Sequence, residues 1–184
     1  DENTGGYANT ACGSNALQRN TTGFCNTAIG YRSLYYNTNG SINTAIGKAA
    51  MLNNTAGNYN TASGYYALSS NNSGDSNSAY GYYALGLNTT GSQNLALGYM
   101  AGCYTSTSGS NTTPNNSVFL GAGTKSYNDA GTNEIVVGYN AVGHGSNTAT
   151  WGNTSITNHY FNGNVNVSGG NFIGTVTGNV TGNA

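Results

Sequence analysis

Two glycines recur at a constant spacing of 17 residues through the first half of the chain. One set is Gly13, Gly30, Gly47, Gly64, Gly81 and Gly98, and the other is Gly6, Gly23, Gly40, Gly57, Gly74 and Gly91. Each glycine of the first set ends the motif Asn-Thr-Ala-x-Gly or a close variant of it. A repeat this short is one supersecondary unit that cannot bury its own apolar face, so its copies must stack. The spacing predicts a solenoid.

The residues within each copy favour strands over helices. Each copy contains two glycines, β-branched threonine and clustered asparagine, all of which disfavour a helix. We expect two short strands per coil, one at Asn-Thr-Ala-x-Gly and one at the following Tyr-x-Ala-Leu, with asparagine and glycine supplying positive φ in the turns. Thr27 and Ile29 should share one face of the first strand and Ala28 the other. We expect the Thr27 face to point inwards and the Ala28 face to approach another chain.

The repeat divides the chain into three regions. Residues 1–116 form the regular array, with a loop insertion near 103–116 that is either a binding loop or a tolerated insertion on the surface. Residues 117–161 continue it in a more apolar form, and the glycine series continues with Gly121, Gly138 and Gly152. Residues 162–184 alternate valine with asparagine and threonine, which predicts an extended segment that needs partner chains. Because the repeat is already in register at the N-terminus, we expect a fragment of a longer fibre.

The low charge excludes several classes of function. Only 5% of the residues are charged and the net charge is -1, against about 25% charged residues in an average domain. The sequence contains no basic stripe, which argues against nucleic-acid binding. No apolar run approaches the ~20 residues of a membrane span. The strict period argues against disorder, since low-complexity segments do not hold a repeat in phase.

Neither catalysis nor a metal centre is expected. The five acidic residues do not recur at a spacing suited to paired acid-base chemistry, so we predict no enzyme and no cofactor. The two histidines are His144 and His159. One histidine per chain could form a metal site on a threefold axis, but a solvated His144 and a His159 packed near Tyr160 and Phe161 are the preferred interpretation.

The cysteines do not form a disulfide framework, because their number is odd. They are Cys12, Cys25 and Cys103. Cys12 occupies the slot of Ile29 and Ile46, which predicts a small buried apolar side chain. A bridge between chains stays open.

Tyrosine is the most prominent candidate surface feature. Tyr31, Tyr65, Tyr82 and Tyr99 occupy one slot of the repeat and are expected to stack into a ladder that serves stability. The alternative is an aromatic face that meets sugar rings, and its candidate residues are Tyr35, Tyr36, Tyr66 and Tyr83.

Two sets of motifs carry a resemblance to known families. Ser117-Val118-Phe119-Leu120-Gly121 and Ile135-Val136-Val137-Gly138 are similar to the Ser-Val-Ala-Ile-Gly head repeats of trimeric autotransporter adhesins. Residues 9–161 resemble the Asn-Thr-Ala-x-Gly-Tyr-x-Ala-Leu repeats of phage tail fibre proteins, and 172–182 resemble the Gly-Thr-Val-Thr-Gly-Asn stretches of fibre shafts. The resemblance implies an all-β, left-handed parallel β-roll that assembles as a homotrimer and ends in a three-chain intertwined β shaft.

The expected function is that of a structural fibre segment. A lone coil buries few apolar side chains for 17 ordered residues, which also favours association of identical chains. We expect a phage tail fibre segment on the virion that provides rigid reach and contributes to attachment, with two identical chains and a bacterial surface glycan or receptor as partners. The alternatives are the head of a bacterial trimeric adhesin or a subunit of an extracellular filament. An ice-binding solenoid is less favoured, because its column Thr10, Thr27, Thr44 and Thr61 breaks at Ser78 and Leu95.

Overall fold

A single parallel sheet runs through the computed structural model, which describes residues 4–162. The strands have three residues each and are β1 (Thr10–Cys12), β2 (Thr27–Ile29), β3 (Thr44–Ile46), β4 (Thr61–Ser63), β5 (Ser78–Tyr80), β6 (Leu95–Leu97), β7 (Val118–Leu120), β8 (Ile135–Val137) and β9 (Ala149–Trp151). Each strand pairs with the next in sequence, in register, so that Ala28 lies between Ala11 and Ala45. No helix occurs within residues 4–162. The all-β parallel solenoid with 17-residue coils is therefore confirmed, whereas the predicted shaft lies, apart from Asn162, outside the described residues.

Each coil contains one strand, and the prediction of a second strand at Tyr-x-Ala-Leu was wrong. This segment forms turns. Arg32 and Leu34 have positive φ values of 55° and 49°. Their N–H groups therefore point along the solenoid axis, and they donate to the carbonyl oxygens of Ser14 and Ala50 in the two adjacent coils, each at 3.0 Å. Hydrogen bonding between coils continues through this segment without a regular strand.

Positive φ is supplied mostly by residues other than asparagine, which the sequence analysis did not predict. Numbering each regular coil from the asparagine of Asn-Thr-Ala-x-Gly, positions 7, 9 and 17 hold residues such as Tyr66, Leu68 and Ile42 at φ between 50° and 58°. The left-handed region costs an L-residue about 1–2 kcal/mol. The N–H groups of Tyr66, Leu68 and Ile42 all donate to neighbouring coils, and Leu68 is completely buried. Contacts between coils and burial offset this local cost.

The inward and outward faces of the strand are the reverse of those predicted. Ala28 and Ala45 are completely buried, whereas Ile29 and Ile46 are 40% and 41% exposed. Thr27 shares the outward face with Ile29 and is half-buried. The coil is narrow, so the alanines fill the core against leucines at position 9, and larger side chains at position 4 point outwards.

The same reversal corrects two further expectations. Cys12, at position 4, is exposed rather than a buried apolar side chain. The column that begins with Thr10 and Thr27 lies on the outward face rather than inside the coil.

The repeated glycines lie where two coils touch through their backbones. A Cβ atom built on Gly47 would lie 2.6 Å from the carbonyl oxygen of Gly64, and φ at Gly47 is 126°. A Cβ atom on Gly57, in the second series, would lie 2.4 Å from the carbonyl oxygen of Gly74. Real Cβ atoms do not approach other atoms this closely, so the distance between stacked coils requires glycine at both repeated positions.

Two columns of buried asparagines cross-link the coils. At position 1, the Asn60 side-chain oxygen accepts the Asn77 N–H at 2.9 Å, and the Asn60 amide donates to the Gly74 carbonyl oxygen at 2.8 Å. At position 12, the Asn54 amide donates to Asn37 Oδ1 at 2.8 Å and to the Gly57 carbonyl oxygen at 2.9 Å. These asparagines therefore form amide ladders in the core, a role that differs from the turn-forming role predicted for them.

A third ladder at position 16 is formed by short polar side chains on the surface. The Ser41 N–H donates to Asn58 Oδ1 at 2.9 Å, the Asn58 N–H to Asp75 Oδ1 at 2.6 Å, and the Asp75 N–H to Ser92 Oγ at 3.0 Å. Each side chain thus accepts the backbone N–H of the coil before it. Serine, asparagine and aspartate alternate at this position because each offers one oxygen at a similar reach.

The six-residue insertion interrupts the ladder at position 12. Asn111 takes this position in the sixth coil, but its amide donates to the carbonyl oxygen of Gly102 at 3.0 Å. The Oδ1 atoms of Asn88 and Asn111 are buried without a hydrogen-bond partner. Beyond this point the alanine column gives way to Phe119 and Val136, both completely buried. The boundary near residue 116 therefore coincides with a change in the composition of the core.

Candidate functional site

The outward face of the sheet carries a column of mostly apolar side chains that is interrupted at Ser63. Position 4 projects five exposed apolar side chains, which are between 39% and 60% exposed: Ile29, Ile46, Tyr80, Leu97 and Trp151. Leu120 and Val137 at the same position are half-buried. Leu95 at position 2 adds to the same face and is 36% exposed. Large apolar side chains gathered on one exposed face often mark a site of interaction with another protein. This sheet face is the strongest candidate for an interface with another chain.

A ladder of aromatic rings borders the sheet face at position 6. The ring centroids of Tyr65 and Tyr82, and those of Tyr82 and Tyr99, are 5.2 Å apart, and both pairs are stacked. Lys48 occupies the same position between Tyr31 and Tyr65, with its ammonium nitrogen 5.9 Å and 5.3 Å from the two ring centroids. The predicted stacking is present for Tyr65, Tyr82 and Tyr99, whereas Tyr31 is linked to them only through cation–π contacts of Lys48.

Arginines and tyrosines form a second cluster on the first coils. The Arg19 guanidinium lies 5.6 Å from the Tyr35 ring centroid and 5.2 Å from that of Tyr36. Arg32 lies 5.3 Å from the Tyr31 centroid and 5.4 Å from that of Tyr35. Tyr35 and Tyr36 meet edge to face at 4.5 Å. We call these residues, with Lys48, the cationic aromatic cluster.

A groove runs from this cluster along the solenoid. It encloses about 560 Å³ and is lined by Arg19, Thr21, Tyr36, Thr38, Asn53, Thr55, Ser70, Asn72 and Thr89. These residues are positions 11 and 13 of five successive coils. With about 4.8 Å between coils, four steps give a length of about 19 Å. The walls are hydroxyl and amide groups, and the cationic aromatic cluster lies at one end.

The tyrosines predicted to face sugars fall into two groups. Tyr35 and Tyr36 belong to the cationic aromatic cluster, where Tyr36 is 40% exposed. Tyr66 and Tyr83 are half-buried and pack beside the ladder, with centroids 6.1 Å apart. Burial, followed by the proximity of Cys103, raises the pKa of Tyr83. Only Tyr36 of the four lines the groove.

The arginines were missed by the sequence analysis. Three of the four lysines and arginines lie within the first 48 residues, namely Arg19, Arg32 and Lys48. That uneven distribution was the available signal. The low total charge of the chain does not reveal this clustering.

A second concave site lies near the end of the described region. It encloses about 430 Å³, and its lining includes Tyr127, His144 and Trp151. His144 Nδ1 is 3.0 Å from Thr150 Oγ1. Within residues 4–162 no three histidine, cysteine or acidic side chains come together as metal ligands would. The same residues contain no helix long and apolar enough to cross a membrane.

Glu134 is a buried acid close to this second site. Its side chain is completely buried and occupies the position that asparagine holds in earlier coils. One carboxylate oxygen accepts the Ser126 hydroxyl at 2.6 Å, and the other accepts the N–H groups of Tyr127 at 3.2 Å and Gly145 at 3.0 Å. These bonds tie three segments of the last coils together, which identifies Glu134 as a structural acid.

Comparisons of the chain with protein-family models, curated proteins and solved structures find no match. The fold and the surface define the class of this protein, a parallel β-solenoid that carries an apolar sheet face and a polar groove on separate positions of each coil.

Proposed function

We propose that this chain is a segment of a homotrimeric structural fibre, of the kind found in phage tail fibres, that gives rigid reach and contributes to attachment at a host surface. One observation carries the proposal: the outward sheet face exposes the large apolar side chains of Ile29, Ile46, Tyr80, Leu97 and Trp151 although the core of the coil is already filled. Within this proposal the solenoid is left-handed and residues 162–184 continue into a three-chain shaft, as the resemblance to fibre repeats implies.

The geometry of the sheet face supports association with identical chains. A copy packed in parallel and in register presents the same spacing, so every coil meets an equivalent coil. The face is nearly uncharged, with Lys48 at its border held between two tyrosine rings. Burial of apolar area is the main favourable term in association. The alanines, which we first expected at the interface, take no part in it.

The proposed role is mechanical and involves no reaction. The ladders at positions 1, 12 and 16 hold the coils together, so the length of the segment follows from the number of coils. The head of a bacterial trimeric adhesin, or a subunit of an extracellular filament, is the alternative on the same fold, with a bacterial surface rather than a virion as its location.

Ice binding is a second candidate, because Thr27, Thr44 and Thr61 lie on the outward face. Their hydroxyls are interspersed with Ile29 and Ile46, and the column ends in Leu95. An ice-recrystallisation assay on the purified chain distinguishes this candidate, and fine-grained ice at micromolar protein would favour it over the fibre.

Size-exclusion chromatography with light scattering tests the homotrimer. The chain has a mass of 18.8 kDa, so the fibre proposal predicts a particle of three times that mass that persists on dilution. A folded monomer across the accessible concentration range would refute it. Circular dichroism on the same fractions establishes that the particle is folded.

A further inference from the structure

We propose that a gap in the aromatic ladder at position 6 binds one sugar ring of a surface glycan, between Tyr99 and Tyr139 and with Lys125 as a hydrogen-bond donor. This inference names the ligand class for the attachment role in the proposed function and rests on that role. The residues that line the gap occupy positions 6, 7, 9 and 11 of their coils. The gap and the sheet face are therefore built from different positions of the coil.

The gap arises because Ala122 takes the ladder position between two tyrosines. The Gly123 N–H donates to the Tyr99 carbonyl oxygen at 2.8 Å, and the Asn140 N–H donates to the Ala122 carbonyl oxygen at 2.9 Å. Tyr99, Ala122 and Tyr139 therefore lie in line on three successive coils. Two coil steps place the backbones of Tyr99 and Tyr139 about 10 Å apart. One ring is missing from a series that otherwise has a ring at nearly every step.

The space beside Ala122 is a concave site of about 240 Å³. Its lining includes Tyr99, Tyr104 and Tyr139, together with Lys125. Sites for drug-sized ligands enclose about 300–1,000 Å³, so this volume suits a single ring of a longer molecule. Tyr99 and Tyr139 are 55% and 69% exposed. The gap is therefore open to solvent, and a glycan chain can continue outwards from the bound ring.

Lys125 lines the gap although its position in the coil normally faces the core. At position 9, Leu34 and Leu85 have positive φ and are completely buried. Lys125 lacks this positive φ, and its side chain is half-buried at the edge of the cavity. The different backbone conformation directs the lysine away from the core, so that an ammonium group stands beside the tyrosines.

The described acids on the same and the following coil have partners of their own. Asp129 accepts the Thr112 hydroxyl and three backbone N–H groups. Glu134 accepts the Ser126 hydroxyl and two backbone N–H groups.

Two further acids, Asp1 and Glu2, precede the described residues. Three residues of chain before Thr4 span at most about 11 Å, whereas Thr4 lies about seven coils, or about 30 Å, from Lys125. These acids therefore cannot reach the gap.

A pyranose ring suits this gap better than an aromatic or a cationic ligand. The C–H bonds on its flat face can stack on tyrosine rings, whose faces carry partial negative charge. Its hydroxyl oxygens accept hydrogen bonds from the three N–H donors of Lys125. A purely aromatic ligand offers the ammonium group no acceptor. A cationic ligand, which a group of tyrosines otherwise favours, is repelled by Lys125.

Saturation-transfer NMR on the purified chain, in the assembly it forms, tests for binding. The probes are the methyl glycosides of glucose, galactose, mannose and N-acetylglucosamine. Sorbitol, which has the hydroxyl groups without the ring, is the control. We expect transfer to the ring C–H protons of at least one glycoside and at least tenfold weaker transfer to sorbitol. Transfer to none of the four glycosides, or equal transfer to sorbitol, overturns the inference.

A variant that fills the gap locates the site without leaving a cavity. Ala122→Tyr supplies the missing ring and should reduce transfer to the glycoside at least tenfold. Ser14→Tyr adds the same ring at the same position of the first coil and should leave transfer unchanged. Equal transfer in these two variants overturns the inference.

A second set of variants removes the groups that would contact the sugar. Tyr139→Ala should reduce binding at least tenfold, whereas Tyr31→Ala, at the same position outside the gap, should not. Lys125→Met should weaken binding about tenfold, the loss expected for one hydrogen bond to a charged group. Unchanged binding in Tyr139→Ala, or equal losses in both tyrosine variants, overturns the inference.

Light scattering of the same samples separates this inference from the fibre. A trimer that binds no glycoside refutes the sugar site alone, whereas a monomer that binds one refutes the fibre alone. Ala122→Tyr should keep the native mass. If this variant loses both glycoside binding and the native mass, the gap is occupied by a neighbouring chain, and the sugar site is overturned.

Discussion

Gly102 and Phe119 share one volume in the core: a Cβ atom on Gly102 would lie 2.6 Å from Phe119 Cδ2. Position 9 holds Leu85 in the preceding coil and Gly102 in the coil that carries the insertion, while Ala96 at position 3 is followed by Phe119 one coil later. The missing leucine side chain and the additional phenyl ring therefore compensate each other. The two positions behave as a pair across neighbouring coils.

This pairing predicts non-additive effects of substitution. Phe119→Ala should lower the free energy of unfolding by about 3–5 kcal/mol, because it leaves a cavity. Gly102→Leu should also destabilise the protein, because the leucine collides with the ring. In the double variant Leu and Ala restore the arrangement of the regular coils, so the loss should be smaller than the sum. Urea unfolding of the four proteins measures this, and additive losses would contradict the pairing.

The buried amide ladder predicts a large cost for one side chain. Asn60→Ala removes the acceptor of the Asn77 N–H and the donor to the Gly74 carbonyl oxygen, and both partners stay buried. Each unsatisfied buried group costs about 1–3 kcal/mol. We expect a loss of about 2–5 kcal/mol in chemical unfolding. Asn53→Ala, on the exposed rim of the groove, is the control, and an equal loss there would show that the ladder does not carry the effect.

Asp129 predicts a pH dependence of stability. Burial pushes its pKa upwards, but hydrogen bonds from the Thr112 hydroxyl and from the N–H groups of Thr113, Thr112 and Ala130 outweigh burial and lower the pKa. A carboxylate with a lowered pKa in the folded state stabilises the protein above its unfolded pKa of about 3.9, and this stabilisation is lost as pH falls through the folded value.

The measurement compares the native chain with Asp129→Asn across pH. The native chain should be the more stable at about pH 6, and the difference should shrink as pH falls below about 4. Taking the difference cancels every contribution that is common to both proteins. A difference that is constant with pH would contradict the assignment.

The cysteines should differ sharply in reactivity. Burial raises the pKa of Cys103 to about 12, and its side chain is completely buried. Cys12 and Cys25 are exposed. Since the thiolate is the reactive form, a thiol reagent at neutral pH should modify Cys25 of the folded protein quickly and Cys103 only on unfolding. Cys12 lies on the sheet face, so it should react quickly only where that face is not covered by another chain. Cys103→Ser should leave the fast phase unchanged, and a smaller fast phase in that variant would reverse the assignment.

The sheet face predicts which substitution separates the chains. Leu97 is 53% exposed on that face, so Leu97→Glu places a charge inside the proposed interface. We expect light scattering to report monomer, or a trimer that dissociates at concentrations at least tenfold higher than for the native chain. Ser73→Glu, on another side of the coil, should keep the native mass. An unaltered trimer in the Leu97 variant would assign the interface to a different surface.

The period of the glycines was enough to predict stacked coils, because a 17-residue unit cannot bury its own apolar face and must stack on its neighbours. It did not predict which face is inside. The alternation of Thr27 and Ile29 with Ala28 is the same whichever face is buried. The prediction placed Thr27 and Ile29 in the core because isoleucine is the larger apolar residue. The width of the coil determines which face is buried, since the interior has room only for the methyl group of an alanine opposite each leucine at position 9.

The turns and the groove depended on information that no single repeat contains. Leu34 and Tyr66 adopt positive φ because their N–H groups bond to adjacent coils, and local preference alone argues against this conformation. Arg19 and Tyr36 are 17 residues apart, so they lie side by side only once the coils are stacked. Placing every residue on the repeat frame would have revealed that contact, because residues one period apart are neighbours.

The three polar ladders also have a consequence for how the protein responds to tension. The bonds at positions 1, 12 and 16 run parallel to the long axis, and each contact between regular coils contains one from every ladder. Tension applied along the solenoid axis is therefore shared, at each contact between two coils, by several side-chain hydrogen bonds and by the backbone hydrogen bonds of the strands. The weakest level should be the one where Asn88 and Asn111 leave oxygens unpaired, so a stretched segment would part first at the sixth coil.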